Sequence, residues 1–481
     1  MRRGTEAAGL SYALLLVTVS LGGVLAPLNS TMLAVALPEL RRDFSMGHGE
    51  IGWLISAYLI AMAVAQPLGG RIGDQLGRAR VFRAGLVAFL AFSLAASFSP
   101  VFPVLVILRT GQALVGAAVI PNGMAMLRES LPADRLGRSM GFIGAMFSFA
   151  AAVGPLIGSG LLAVGSWRLL FLMNAPLVLL ALASQSLLAY PHAPERRKFE
   201  LDWAGALVFG ALLTALTFVL NSLRGDVGGL ALGAGAAGFL GLFALFVQSQ
   251  RSSALPIVEW RLFRNRSYAA ATGYVLLNNL VMYTTLLTIP FFIEEVQGKG
   301  NSASGTLLGV MSILVVAIAP IGGRISDAYG RRLLALTGAL VMVGGVAALL
   351  AGLSKDVSYG YLAACLATLG LGIGLSFNAA STAALESTSR ELAGTAAGTN
   401  SMMRYLGSIV GVAILGAVLS GDGAPDVGLF RLIFVVLLAM AALAAGTTLF
   451  IHRFPAEVQE LRRAESDAVA AVASSPFPSA G

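Results

Sequence analysis

The chain has 481 residues, of which 57% are hydrophobic and only 12% charged, with a formal net charge of +8. Soluble domains carry about 25% charged residues, so a water-soluble fold of this size is excluded and most of the apolar surface must face lipid. The basic residues form no block, which argues against a nucleic-acid partner, and we expect them to orient the chain in a membrane.

Apolar stretches long enough to cross a bilayer follow one another along the whole chain. A helix needs about 20 apolar residues to span the hydrocarbon. The first stretch follows Met-Arg-Arg but has no convincing cleavage site, so we predict a retained span there. The predicted fold is an all-α membrane protein with 14 transmembrane helices, near residues 11–37, 51–70, 80–99, 101–127, 139–163, 168–189, 204–222, 229–249, 269–293, 304–323, 332–353, 359–385, 395–420 and 428–452.

The distribution of lysine and arginine predicts the orientation of these spans. An even number of spans places both termini on one side of the membrane. Most of the 32 basic residues lie in the loops and tails on that same side, and loops rich in lysine and arginine are cytoplasmic. The sequence therefore predicts a multi-pass membrane protein with both termini in the cytoplasm.

A short charged segment occurs twice. Pro67 to Arg78 reads PLGGRIGDQLGR, and Pro320 to Arg331 reads PIGGRISDAYGR. Each copy joins two apolar stretches, so the chain contains a duplicated membrane unit, as secondary transporters do. We predict an N-terminal six-helix bundle, a linker with two extra helices, a C-terminal six-helix bundle and a cytoplasmic tail, at residues 1–190, 191–268, 269–453 and 454–481.

The first copy of this segment resembles a motif of the major facilitator superfamily. Residues 70–80, GRIGDQLGRAR, are similar to the loop between spans 2 and 3 of that superfamily. Within it, the chain most resembles the fourteen-span drug:proton antiporter family of bacterial multidrug exporters, over about residues 20 to 450. The resemblance implies a gating or coupling role for Asp74 and Arg78, and the duplication extends it to Asp327 and Arg331.

An arginine lies inside the fourth span. Arg109 and Gln112 belong to the segment RTGQALVG, which is similar to a second family motif although Ala113 stands where the family usually has glycine. An intramembrane arginine costs several kcal/mol unless it is paired or hydrated, so Arg109 is a candidate functional residue. The resemblance implies a role in proton transfer. The alternative is a structural arginine that binds backbone carbonyls.

The fifth span contains small residues around a proline. Gly154, Pro155 and Gly158 resemble the antiporter motif of the family, and the resemblance implies export. Small residues permit close helix packing, and we expect Pro155 to remove a backbone hydrogen bond and bend the span. Ordinary packing without directional meaning is the alternative.

The chain departs from the family pattern in the first span. Asn29 stands where the family commonly has an acid, and no acidic residue falls near the middle of any predicted span. An amide cannot titrate, so proton coupling cannot use residue 29. A buried cation needs a counter-charge to offset its desolvation. We therefore predict that the substrates are neutral, zwitterionic or anionic amphipathic molecules.

Polar groups within the spans are candidates for the wall of a substrate cavity, although each can equally bind a neighbouring helix. The ninth span is favoured, because Asn278 with Met282 and Asn279 with Tyr283 are spaced four apart. The predicted substrate-binding residues are Asn29, Thr31, Gln112, Asn278, Asn279, Tyr283, Asn378, Asn400 and Arg404.

Enzyme chemistry and bound cofactors find no support in the sequence. The three histidines have no metal-ligand spacing, no Walker-type lysine motif exists, and Cys365 is alone. We expect no metal and no cofactor, with the proton gradient as energy source and with protons, lipid and small amphipathic substrates as partners of a monomer. The predicted function is efflux by proton antiport with alternating access. The alternatives are a lipid or amphipathic-metabolite transporter without classical proton coupling, and a transport-inactive receptor or regulatory subunit.

Overall fold

The computed structural model describes residues 2–131, 133–188, 202–222, 229–253, 256–388, 392–419 and 425–453. Within these ranges the chain is α-helical, apart from short turns and one turn each of 3-10 and π-helix, and contains no strand. The predicted tail at residues 454–481 and the first part of the predicted linker, residues 191–201, lie outside the described residues. The helices are α1 (Arg2–Asp43), α2 (His48–Leu76), α3 (Arg78–Ser97), α4 (Phe102–Gly116), α5 (Val119–Ser130), α6 (Ala133–Val164), α7 (Arg168–Leu172), α8 (Asn174–Ser186), α9 (Trp203–Asn221), α10 (Gly229–Ser252), α11 (Arg266–Phe291), α12 (Asn301–Tyr329), α13 (Arg331–Gly352), α14 (Tyr359–Glu386), α15 (Ala393–Leu419) and α16 (Val427–Thr448).

The all-α membrane fold predicted from the sequence is confirmed. Among the described residues, 13 helical segments are long and apolar enough to cross a membrane. The span predicted near 139–163 falls in α6, where the apolar stretch found is the shorter Phe149–Val164. The count of 14 therefore stays a prediction.

Two predicted spans are each made of two helices. The span near 101–127 consists of α4 and α5, and the span near 168–189 consists of α7 and α8. Proline lacks the amide hydrogen that would bond four residues back, and Pro121 and Pro176 lie just beyond the two breaks. These prolines account for the two breaks, and both stretches remain long and apolar enough to cross a membrane.

The helices form two bundles with a peripheral pair. In the N-terminal bundle α1 packs on α6 and α8, and α4 packs on α2 and α3. In the C-terminal bundle α14 packs on α12 and α13, and α11 packs on α15 and α16. The bundles meet through α6 with α12 and through α2 with α15. Helix α9 packs on α2, α15 and α10, while α10 is almost entirely exposed to the surroundings of the protein.

Candidate transport cavity

A cavity of about 220 Å³ lies between the two bundles. Helices from both bundles supply its wall, so any rotation of one bundle against the other changes its shape. The N-terminal bundle contributes Ser30, Thr31, Tyr58, Met62 and Phe147, among others, and the C-terminal bundle contributes Asn278, Asn279, Met282, Tyr283, Met311, Phe377, Arg404, Tyr405 and Ser408.

The cavity wall is aromatic and carries a positive charge. Three tyrosines, Tyr58, Tyr283 and Tyr405, line it together with apolar side chains. Arg404 is the one charged side chain among the described residues of the wall, and no carboxylate belongs to that set. Such a wall offers apolar area for an amphipathic molecule and one guanidinium group for its polar end.

The structure brings five of the nine predicted binding residues to this wall. Thr31, Asn278, Asn279, Tyr283 and Arg404 line the cavity, and Met282 joins them as the spacing of the ninth span predicted. Contact with a substrate stays a prediction for all nine residues.

The other four predicted binding residues lie elsewhere. Asn378 is exposed, and the Asn400 side chain donates to the Ser381 hydroxyl at 3.4 Å. Asn29 and Gln112 are fully buried within the N-terminal bundle. None of these four lines the cavity: Asn29, Gln112 and Asn400 bond to neighbouring side chains, and Asn378 is exposed.

Arg109 holds Asn29 and Gln112 in a ring of side chains that joins four helices. Arg109 Nη1 donates to Asn29 Oδ1 at 2.9 Å and to Gln112 Oε1. Asn29 Nδ2 donates to Asn174 Oδ1 at 2.5 Å, and Ser93 Oγ accepts from Asn174 Nδ2 at 2.7 Å and Gln112 Nε2 at 2.6 Å. The alternative of an arginine bonded mainly to backbone carbonyls fits less well, because its one backbone contact is Asn29 O at 3.5 Å.

The ring of hydrogen-bonded side chains around Arg109 lies next to the cavity, with Tyr58 in contact with both. The guanidinium carbon of Arg109 lies 3.9 Å from the centroid of the Tyr58 ring, a cation–π distance, and Tyr58 lines the cavity. No carboxylate in the described part of the chain pairs with Arg109. The sequence reasoning missed Tyr58, Tyr405 and the Ser93–Asn174 link; polar side chains within apolar spans were the available signal.

The Gly-Pro motif packs α6 between α1 and the opposite bundle. A Cβ atom added at Gly158 would lie 2.9 Å from the Met32 carbonyl oxygen, so only glycine allows this approach to α1. On the opposite face of α6, a Cβ atom added at Gly309 of α12 would lie 2.6 Å from the Leu156 side chain. Helix α6 continues through Pro155. The motif therefore lies where the two bundles touch.

The duplicated turns form matching ion clusters, one in each bundle. Arg78 pairs with Asp74 and with Glu129 of α5. Arg331 pairs with Asp327 and, at 2.8 Å, with Glu386 of α14. Gly77 and Gly330 have φ angles of 93° and 99°, which a residue with a side chain rarely adopts. Gating by these clusters stays a prediction.

At the opposite end of α2, ion pairs join the two bundles. Arg41 Nη2 lies 2.8 Å from Glu295 Oε1, His48 Nε2 lies 2.8 Å from the same oxygen, and Arg42 Nε lies 3.0 Å from Glu294 Oε1. The π-helical turn Phe292–Val296 carries both glutamates. Of the ion pairs among the described residues, only these cross between bundles. The bundles are therefore joined by ion pairs at the end predicted to face outward.

Comparison with known proteins agrees with this architecture. The family model for the Major Facilitator Superfamily matches residues 19–412. The uncharacterized MFS-type transporter YvkA of Bacillus subtilis is 31% identical over 91% of this chain and 95% of its own. Multidrug resistance protein 3 of the same organism is 27% identical over 83% of this chain and 78% of its own. The crystal structure of a D-xylose-proton symporter has a TM-score of 0.67, at 15% identity, and covers 92% of this chain and 98% of that one.

Two bundles around a shared cavity define a multi-pass membrane transporter rather than an enzyme. The match over most of its length shows that the chain belongs to the Major Facilitator Superfamily.

The inter-bundle ion pairs lead to a first prediction. Replacing Glu295 with Gln removes the negative charge that faces Arg41 and His48, and a hydrogen bond to a charged group contributes about 1.5–3 kcal/mol. We expect this end of the cavity to open about tenfold more often. The readout is maleimide labelling, from that end, of a cysteine at Ser312 in a Cys365→Ser background.

Glu259→Gln is the matched control, because the Arg261–Glu259 pair spans 3.8 Å and Arg261 is largely exposed. It should leave labelling unchanged. Equal labelling of the Glu295 variant and the native chain would show that the ion pairs do not hold the bundles together.

Proposed function

We propose that the chain is a secondary active exporter of amphipathic small molecules that works by alternating access. The observation that carries the proposal is a cavity between two bundles, lined by tyrosines and apolar residues, with inter-bundle ion pairs at one end and separate ion clusters at the other. The similarity to a protein named for multidrug resistance supports export, as does the resemblance of Gly154, Pro155 and Gly158 to the antiporter motif. We place the protein in a bacterial inner membrane, as a monomer with cytoplasmic termini.

The energy source that the family resemblance favours is the proton gradient. Arg109 is the group to which the resemblance assigns proton transfer, and its place beside Tyr58 puts it next to the cavity wall. Proton antiport predicts that purified protein in liposomes accumulates an amphipathic probe against its gradient when a pH difference is imposed. Protein-free liposomes report the passive leak. Transport that equilibrates the probe regardless of the pH difference would reject antiport and leave export itself standing.

A transporter without classical proton coupling is the second candidate. It is favoured by one observation: Asn29, an amide, is the partner of Arg109 where the family commonly has an acid. A transport-inactive receptor would give no flux of any probe from folded protein, and the same liposome experiment detects it.

A further inference from the structure

We infer that the transported molecule is an amphipathic monoanion and that the membrane potential, not a proton, drives its export. This inference rests on the proposed export function and favours its second candidate, transport without classical proton coupling. Two observations support it: Arg404 and Arg109 are positive charges at or near the cavity, and no carboxylate of the described chain pairs with either. The third support is the free energy gained when one charge crosses the membrane potential.

Arg404 is the anchor for the anionic group. It lies on α15, half-buried in the cavity wall, and no carboxylate of the described chain pairs with it. Its guanidinium carbon lies 5.6 Å from the centroid of the Tyr405 ring, also on the wall. A guanidinium group presents a planar fork of donors that matches a carboxylate or a sulfonate. One fork on the wall suits one anionic group.

Arg109 adds a second positive charge behind the wall. Its side-chain partners, Asn29 and Gln112, are neutral, so nothing within the ring cancels its charge. This guanidinium lies 3.9 Å from the centroid of the Tyr58 ring, which lines the cavity. An organic cation entering the cavity would lose its hydration and meet two positive charges, whereas an anion gains from both.

The remaining wall fits the hydrophobic body of such a molecule. Apolar side chains from both bundles, including Met62, Phe147 and Phe377, surround the cavity. Asn278 also lies on the wall, and its amide nitrogen has no hydrogen-bond partner. The nitrogen atom itself is buried, so Asn278 contributes to the wall without offering an exposed donor.

Export of an anion needs no titrating side chain. The interior of a cell is negative, so an anion moves outward down the membrane potential. One charge crossing about 100 mV gains about 2.3 kcal/mol, which equals roughly fiftyfold accumulation. The absence of any carboxylate from the described cavity wall is therefore compatible with driven export once the substrate itself carries the charge.

The test uses three probes with one naphthalene body and fixed charges: a sulfonate anion, a neutral sulfonamide and a trimethylammonium cation. The full chain in liposomes receives either a potassium diffusion potential with valinomycin or a pH difference alone. We expect the sulfonate to accumulate on the positive side, with a concentration ratio whose logarithm rises in proportion to the potential, and to ignore the pH difference. Sulfonate transport that follows pH and not potential would overturn the inference.

Variants at Arg404 connect the flux to the anchor. Arg404→Gln should lower sulfonate flux at least tenfold and leave sulfonamide flux within about twofold, while Arg404→Lys should retain a measurable part of the sulfonate flux. Sulfonamide flux also reports that the variant is folded. Unchanged sulfonate flux in Arg404→Gln overturns the inference, as does cation transport that exceeds anion transport. Absence of flux for all three probes overturns the proposed export function as well, so the two failures are distinguishable.

Discussion

An Asn29→Asp variant is expected to transport cationic probes about tenfold faster than the native chain and anionic probes about tenfold slower. Arg109 Nη1 donates to Asn29 Oδ1 at 2.9 Å, so a carboxylate at this position becomes its counter-ion. Cancelling one charge behind the Tyr58 face changes the energy of a charged substrate by about 1–2 kcal/mol at an effective dielectric constant near 20. That energy corresponds to about tenfold in binding. The measurement is flux of charge-matched probes in liposomes.

The same variant should also unfold at a higher temperature. A charge-assisted hydrogen bond is about twice as strong as a neutral one, and the Asn174 amide, which now accepts from Asn29, can rotate to donate to the new carboxylate. Asn29→Leu is the matched control, because it removes the acceptor without adding a charge. It should lower the unfolding temperature and give no gain in cation transport. A similar gain in both variants would show that charge is not the cause.

The helices could be predicted from the sequence because apolar length alone defines a membrane span. The duplicated turns could be predicted because their residues repeat, and four-residue spacing placed Asn278 and Met282 on one face of α11, where both now line the cavity. These features depend on the order of residues within one or two helices.

Features that depend on several helices at once could not be predicted. The spacing within a span does not give the rotation of that helix about its axis, so Asn29 was expected on the cavity wall and lies in the Arg109 ring. The ion pair between Arg41 and Glu295 joins residues that are 254 positions apart. Its partners meet only after both bundles have formed and packed together.

A Gly305→Leu variant is expected to fold, but its rate of substrate transport should fall by about tenfold to a hundredfold. Gly305 of α12 faces the other bundle, where a Cβ atom would lie 3.0 Å from the Pro155 carbonyl oxygen and against the Ser159 side chain. Inserting a bulky side chain into a packed contact costs about 1–3 kcal/mol. That cost falls on the state in which the bundles touch, whereas the packing inside each bundle is unchanged.

Alternating access requires this contact to form once in every cycle, so the variant should stay open at the end that carries Glu295. Labelling of a cysteine at Ser312, in a Cys365→Ser background, should therefore rise from that end while flux of every probe falls. Gly344→Leu is the matched control, because this glycine is exposed and an added Cβ atom would meet nothing within 4 Å. Gly344→Leu raises helix propensity as much as Gly305→Leu does, but its new side chain does not overlap the other bundle. Native flux in Gly305→Leu would mean that α6 and α12 separate little during transport and that the bundles move about another contact.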